Sequence, residues 1–149
     1  MRKIVTWVLV SDGGRARVFE NDGPDRGLTE LTDLAREADL EPSRDIMADR
    51  QGRTFDSAGP GRHAMERPTD PRELEEERFL DETLEIVAGH ARKGRFDRLI
   101  IAAPPRALGH VRKELPRELS ERLHADLPKD LTKASIVEIQ KQVGTVMAV

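Results

Sequence analysis

The sequence predicts an α/β fold, a single domain with a mixed five-stranded sheet and helices on its faces. Three observations carry that expectation. A β-branched apolar run, Ile4 to Val10, meets a turn signal and a second alternating run; a continuous apolar block, Leu99-Ile100-Ile101-Ala102, lies between helical stretches; and helix-capping patterns recur beside the later strands. Strands that first follow one another and then alternate with helices make a sheet covered on both faces. The chain has 149 residues, which suits one domain over 1–149.

Each element has its own signal. Ile4 to Val10 and Arg15 to Glu20, joined by Asp12-Gly13-Gly14, read as a β-hairpin. Leu28 to Leu34 reads as a third strand of the same meander, although Leu28, Leu31 and Leu34 also stand at i, i+3 and i+6, a helical spacing. From Glu41 to Asp70 hydrophobic periodicity stops, and Gly52, Gly59, Gly61, Pro42, Pro60 and Pro68 fall among paired charges. This is a long flexible loop, and at such a length a loop is either functional or disordered. Asp70-Pro71-Arg72-Glu73 then starts a helix, with Asp70 as cap, Pro71 at the first position and Glu73 completing a capping box. Leu80, Leu84, Val87 and Ala91 mark its buried stripe, and Gly94 stops it.

Phe96 to Ala103 is the central strand, closed by Pro104-Pro105, which opens a helix from about Arg106 to Glu114. Pro116 restarts a helix through Leu123, and a strand follows around Ala125 and Leu127 that Pro128 can occupy only at its end or on an edge. Ser135-x-x-Glu138 starts the last helix, ended by Gly144 before an apolar tail. The order is βββ, long loop, αβαβα.

Composition narrows the chemistry. Hydrophobic residues make up 37% and charged residues 36%, the net charge is -3, and there is no cysteine, which excludes disulfides, thiol nucleophiles and cysteine-bound zinc. Four Phe and one Trp provide too few aromatics for a base-stacking platform. Arg2 and Lys3 precede an apolar run, but it ends at Ser11-Asp12-Gly13-Gly14 with no small-x-small cleavage site, so it reads as a strand and not a signal peptide. No window has the length of a membrane span, and a cytoplasmic protein is expected.

Several blocks resemble the bacterial host attachment protein family. They are Trp7 to Glu20 (WVLVSDGGRARVFE), Asp49-Arg50-Gln51-Gly52-Arg53, Asp70 to Glu75 (DPRELE), Arg95 to Leu99 (RFDRL) with Ala103 to Gly109 (APPRALG), and Lys129 to Lys133 (KDLTK). That family is similar, more distantly, to the central domain of archaeal and eukaryotic peptide-chain release factors, whose element order is the one read above. The resemblance implies a release-factor-like domain. In release factors the loop before the long helix carries Gly-Gly-Gln, which enters the ribosomal peptidyl-transferase centre. The equivalent loop here holds Gln51-Gly52 and Gly59-Pro60-Gly61-Arg62-His63 but no Gly-Gly-Gln, so no catalytic role is carried over.

The sheet order is also that of ribonuclease H-like folds, whose nucleases gather carboxylates around two metal ions. Asp12, Asp97 and Glu77 are the candidates, but Asp12 belongs to a turn and Asp97 enters its strand, so they should not converge. His63, His90, His110 and His124 lack ligand spacing, and no serine sits in a nucleophile elbow, so neither a metal nor a cofactor is implied. A hydrolase would have to use Gln51, Arg62 and His63 of the long loop.

Charge is more informative. Glu73, Glu75, Glu76, Glu77, Asp81, Glu82 and Glu85 face only Arg78, a net of -6 that the positive helix N-terminus favours. Arg92, Lys93, Arg95, Arg98, Arg106, Arg112, Lys113 and Arg117 oppose only Asp97 and Glu114, a net of +6. Such a region either neutralises the acidic helix or tracks phosphates. The second reading makes the ribosome or another structured RNA the partner, contacted by Arg92, Lys93, Arg95, Arg98, Arg106, Arg112 and Lys113, with Arg50, Arg53, Arg62 and His63 on the loop. The other reading is a protein-interaction factor with an indirect effect on attachment to host cells. The apolar tail Val143 to Val149 packs either on the sheet or on a second copy.

Overall fold

The computed structural model describes residues 3–38 and 70–149. The strands and α-helices among the described residues are β1 (Thr6–Ser11), β2 (Arg15–Asn21), β3 (Thr29–Glu30), β4 (Arg36–Glu37), α1 (Pro71–Arg92), β5 (Arg98–Ala102), α2 (Pro105–Glu114), α3 (Arg117–Ser120), β6 (Leu123–Leu127) and α4 (Ile136–Val143). They form a mixed sheet in the order β3-β2-β1-β5-β6, with β4 on the same side of β2 as β3 but at its other end. β2 is antiparallel to β1, while β5 and β6 run parallel to it, as expected of a meander followed by αβ units.

Six strands stand where five are expected, because the third strand is split. Its two halves, β3 and β4, flank a 3-10 turn at Thr32–Leu34. Leucine spacing explains the break. Leu28 joins the core on one face of the sheet, whereas Leu31 and Leu34 both pack on the other. A strand sends residues three apart to opposite faces, whereas a 3-10 turn, with three residues per turn, returns them to one.

β1 is buried at all six positions, and its side chains alternate between two cores. Trp7 and Leu9 join Val18, Leu99 and Ile101 beneath α1, α2 and α3; Val8 and Val10 join Phe19, Ile100 and Ala102 beneath α4. The result is three layers, helices on either side of a sheet. Trp7 anchors the first core, stacked on Phe96 at 4.6 Å between ring centroids, with its indole N–H donating to Glu20 Oε2 at 3.0 Å. The tail packs on its own sheet, where Val146, Met147 and Val149 lie against the second core.

Local signals are realised with two amendments. Asp70 caps α1 by accepting from Arg72 N at 2.9 Å, but Glu73 does not complete the box; it pairs instead with Arg106 across the interhelix gap. Helix α3 stops at Ser120, short of the expected Leu123, which begins β6. Ser135 caps α4 by accepting from Glu138 N at 3.1 Å, and β6 ends before Pro128. Gly94 follows α1 in a left-handed conformation, φ 72°, which a glycine adopts without strain.

Candidate functional site

Both β1 and β5 end at one edge of the sheet, and α1 and α2 begin there. Open α/β sheets place ligand crevices outside the carboxyl ends of their parallel strands. A cleft of about 760 Å³ occupies that position, lined by the β1–β2 turn, the first turns of α1 and α2, and the segment after β6. Four separate sequence blocks meet in it. Asp12 to Arg15, Glu73, Pro104 with Arg106 and Ala107, and Asp130 with Lys133 all come from blocks that carry the family resemblance. The chain also leaves and re-enters the described structure at this edge, through Ala38 and Asp70.

The cleft is firmly built. Asp12 Oδ1 accepts from Gly14 N at 2.9 Å and Arg15 N at 2.8 Å, which closes the β1–β2 turn. Gly13 lies directly against Glu76 of α1, where an added Cβ would stand 2.6 Å from Glu76 Cβ. Thr132, buried at the base, donates to Asp130 Oδ1 at 2.6 Å, and Asp12 Oδ2 stands 3.4 Å from the same hydroxyl. Ala38 N donates to Gly14 O at 2.8 Å, which fixes one stem of the 39–69 segment. Arg36 binds the other side: its guanidinium donates to Thr83 Oγ1 at 2.5 Å and lies over the Phe79 ring at 4.6 Å.

Charges in the cleft are mixed. Arg15 pairs with Glu37 at 2.6 Å and Arg106 with Glu73, while Lys133 has no carboxylate partner among the described residues. His110 Nε2 stands 2.8 Å from Asp81 and Nδ1 3.8 Å from Glu77. With carboxylates facing both ring nitrogens, His110 ties α2 to α1. Among the described residues no group of three or more His, Asp or Glu could share a metal ion. Two of the three nuclease candidates share the cleft and the third stands apart from them. Asp12 and Glu77 line the cleft, whereas Asp97 accepts from Val5 N at 2.9 Å at the opposite edge of the sheet.

The candidate RNA-binding cations divide into three groups. Arg92 pairs with Glu85 at 3.0 Å and Glu118 at 2.8 Å, Arg106 with Glu73, and Arg112 with Asp126 through two bonds at 2.8 and 3.0 Å. Hydrogen bonding to Arg112 holds the Asp126 carboxyl below its usual range, and Arg92 does the same for Glu118. Lys93, Arg95, Arg98 and Lys113 have no carboxylate partner among the described residues. Arg95 lies over Trp7 at 5.3 Å, and Arg98 donates to Thr6 Oγ1 at 3.2 Å. Burial, then Arg95 and Lys93, depress the basicity of neighbouring His90. Arg50, Arg53, Arg62 and His63, the loop 41–70 up to its last residue, and Gln51 of the hydrolase reading lie outside the described residues.

Sequence reasoning missed the cleft as a site, together with Thr132, Asp130 and His110. The signal was there in the separate blocks, but nothing in one chain says that they meet.

A three-layer α/β domain with a cleft at the carboxyl edge of its parallel strands is the class that fold and site define. The chain belongs to bacterial archaeo-eukaryotic release factor family 12, whose model matches residues 5–143. That description names release factors and not host attachment. Among solved structures, the crystal structure of the archaeal translation termination factor aRF1 is similar with a TM-score of 0.49 and 13% identity, covering 95% of this chain. The chain spans 38% of that protein's length. No curated protein matches. Among the described residues no helix is long and apolar enough to cross a membrane.

Proposed function

We propose that this protein is a translation-linked module that contacts the ribosome or another structured RNA. The observation that supports it is membership of a release-factor family across residues 5–143. Phosphate contact falls to cations not already engaged by carboxylates, because a paired guanidinium would have to give up its partner first. Lys93 and Arg95 follow α1, and Lys113 closes α2 on the same side of the sheet; both helices start at the cleft and run toward the opposite edge. Arg92 and Arg106 serve the helix layer instead and Arg112 ties α2 to β6, with Arg98 on the other face. Arg50, Arg53, Arg62 and His63 would add contacts from the segment between β4 and α1. Location in the cytoplasm follows from the same reading.

Fluorescence anisotropy with a labelled ribosomal RNA hairpin, titrated across a salt series, tests this. Affinity should fall linearly on a double-logarithmic salt plot, and each of Lys93→Gln, Arg95→Gln and Lys113→Gln should lower the slope by roughly one. Binding with no salt dependence, or with slopes that ignore all three substitutions, would contradict the assignment.

A further inference from the structure

A second concavity of about 810 Å³ lies at the other edge of the sheet, between the β2–β3 loop, the start of β5 and the carboxyl-terminal tail. Its cations come from three separated segments: Lys3 before β1, Arg26 on the loop and Arg98 at the start of β5. One carboxylate, Asp22, lines it, 3.7 Å from Lys3. Arg98 belongs to the same face of β5 as Ile100 and Ala102, the face covered by α4 and the tail, so this groove lies on the opposite face from Arg95. Thr6 Oγ1 holds its Nε at 3.2 Å and Met147 Sδ lies 4.0 Å from Nη2. The guanidinium is thus fixed and partly desolvated, and no carboxylate among the described residues neutralises it.

The wall opposite is preformed. Buried Asn21 donates to Gly27 O at 2.8 Å and accepts from Gly23 N at 3.1 Å, and Gly27 N donates to Val149 O at 3.1 Å. Asp25 and Gly27 both take left-handed conformations, φ 64° and 68°. Glycine and aspartate both tolerate this region in tight turns, so the loop's own residues hold its shape together with the Asn21 bonds. Between the cations lies apolar surface from Ile4, 48% exposed, with Pro24 and Met147.

We propose that this groove binds a nucleoside phosphate, with Arg98 and Arg26 on the phosphate and the base resting on Ile4, Pro24 and Met147. A single carboxylate ligand would be matched by one arginine; two arginines from separate segments, neither paired with a carboxylate among the described residues, suit a phosphate. Apolar side chains from Ile4, Pro24 and Met147 beside charged ones give the mixed lining that a nucleoside phosphate needs. Free mononucleotide and the 5′-phosphorylated end of an RNA strand share this chemistry. The inference is independent of the translational reading, which uses the other face.

Isothermal titration of the full chain at low ionic strength tests it, using adenosine and guanosine 5′-monophosphate, the two nucleosides, and RNA tetranucleotides with and without a 5′-phosphate. The phosphorylated member of at least one pair should bind at least tenfold tighter than its partner. Arg26→Gln, on an exposed side chain, and Arg98→Met, which keeps the apolar stem, should each weaken that binding at least tenfold with little change in the melting curve. Tight binding of the mononucleotide assigns a metabolite source, and tight binding of the phosphorylated tetranucleotide a strand end. No binding of any phosphorylated probe at millimolar concentration, or binding indifferent to both the phosphate and Arg26→Gln, overturns the proposal.

Discussion

A methyl group on Gly13 would meet the Cβ of Glu76 at 2.6 Å, closer than packed carbons come. Gly13→Ala must therefore push the β1–β2 turn away from α1, with an expected loss of about 1–3 kcal/mol in urea denaturation; an unchanged midpoint would contradict this contact. Asp12-Gly13-Gly14 is legible as a turn from its residues alone, since Asp12 makes the bonds such a turn demands. The need for glycine at 13 is not legible, because it comes from a helix far along the chain. His90 is a similar case. Burial, with help from Arg95 and Lys93, moves its native titration below the ordinary 6.5. The unfolded chain then takes up a proton before the native one does, so stability declines as the pH drops through 6.5 and levels off below the native value. Proton NMR titration should place His90 below 6.5, and His90→Gln should remove part of the fall in stability as the pH drops below 6.5. A titration at or above the ordinary value would contradict the effect of burial and of its cationic neighbours.

At the scale of elements, caps and apolar stripes were readable because they are local. Asp70 and Ser135 cap the helices that their sequence patterns announce, and Leu84 sits on the predicted buried stripe of α1. Leu84→Ala should destabilise by about 2–5 kcal/mol in denaturant unfolding, a cavity in a packed helix–sheet core. The third strand was only half readable. Its leucines at spacing three satisfy neither a period of two nor a long helix, and the chain resolves the conflict with a 3-10 turn between β3 and β4. Arg36 ties β4 to α1, reaching across to Thr83, Phe79 and Glu82. Arg36→Met, which keeps the stem but removes these bonds and the ring contact, should lower stability by about 1–2 kcal/mol in the same assay. No loss would mean that β4 is held by its pairing to β2 alone.

Over the whole molecule, the acidic and basic stretches that stand apart in the sequence become neighbours. α1 and α2 run side by side, so Arg106 meets Glu73 and His110 meets Asp81 and Glu77, while Arg92 links Glu85 to Glu118 of α3. Much of the apparent +6 region is spent neutralising the helix layer, which a linear charge count cannot show because pairing depends on how the helices are packed. The cleft at the carboxyl edge was hidden for the same reason: its four blocks are far apart in the chain and meet only through sheet order. The cations that remain, Lys93, Arg95 and Lys113 on one face, carry the claim that this release-factor family member works on the ribosome or a structured RNA. The most direct test is sedimentation of the full chain with ribosomes from its own lysate, at low and at raised salt, beside the Lys93→Gln/Arg95→Gln/Lys113→Gln variant. The account predicts that the wild-type protein travels with ribosomes at low salt, is released as salt rises, and loses most of that association in the variant. Protein that stays at the top of the gradient in both salts would contradict it.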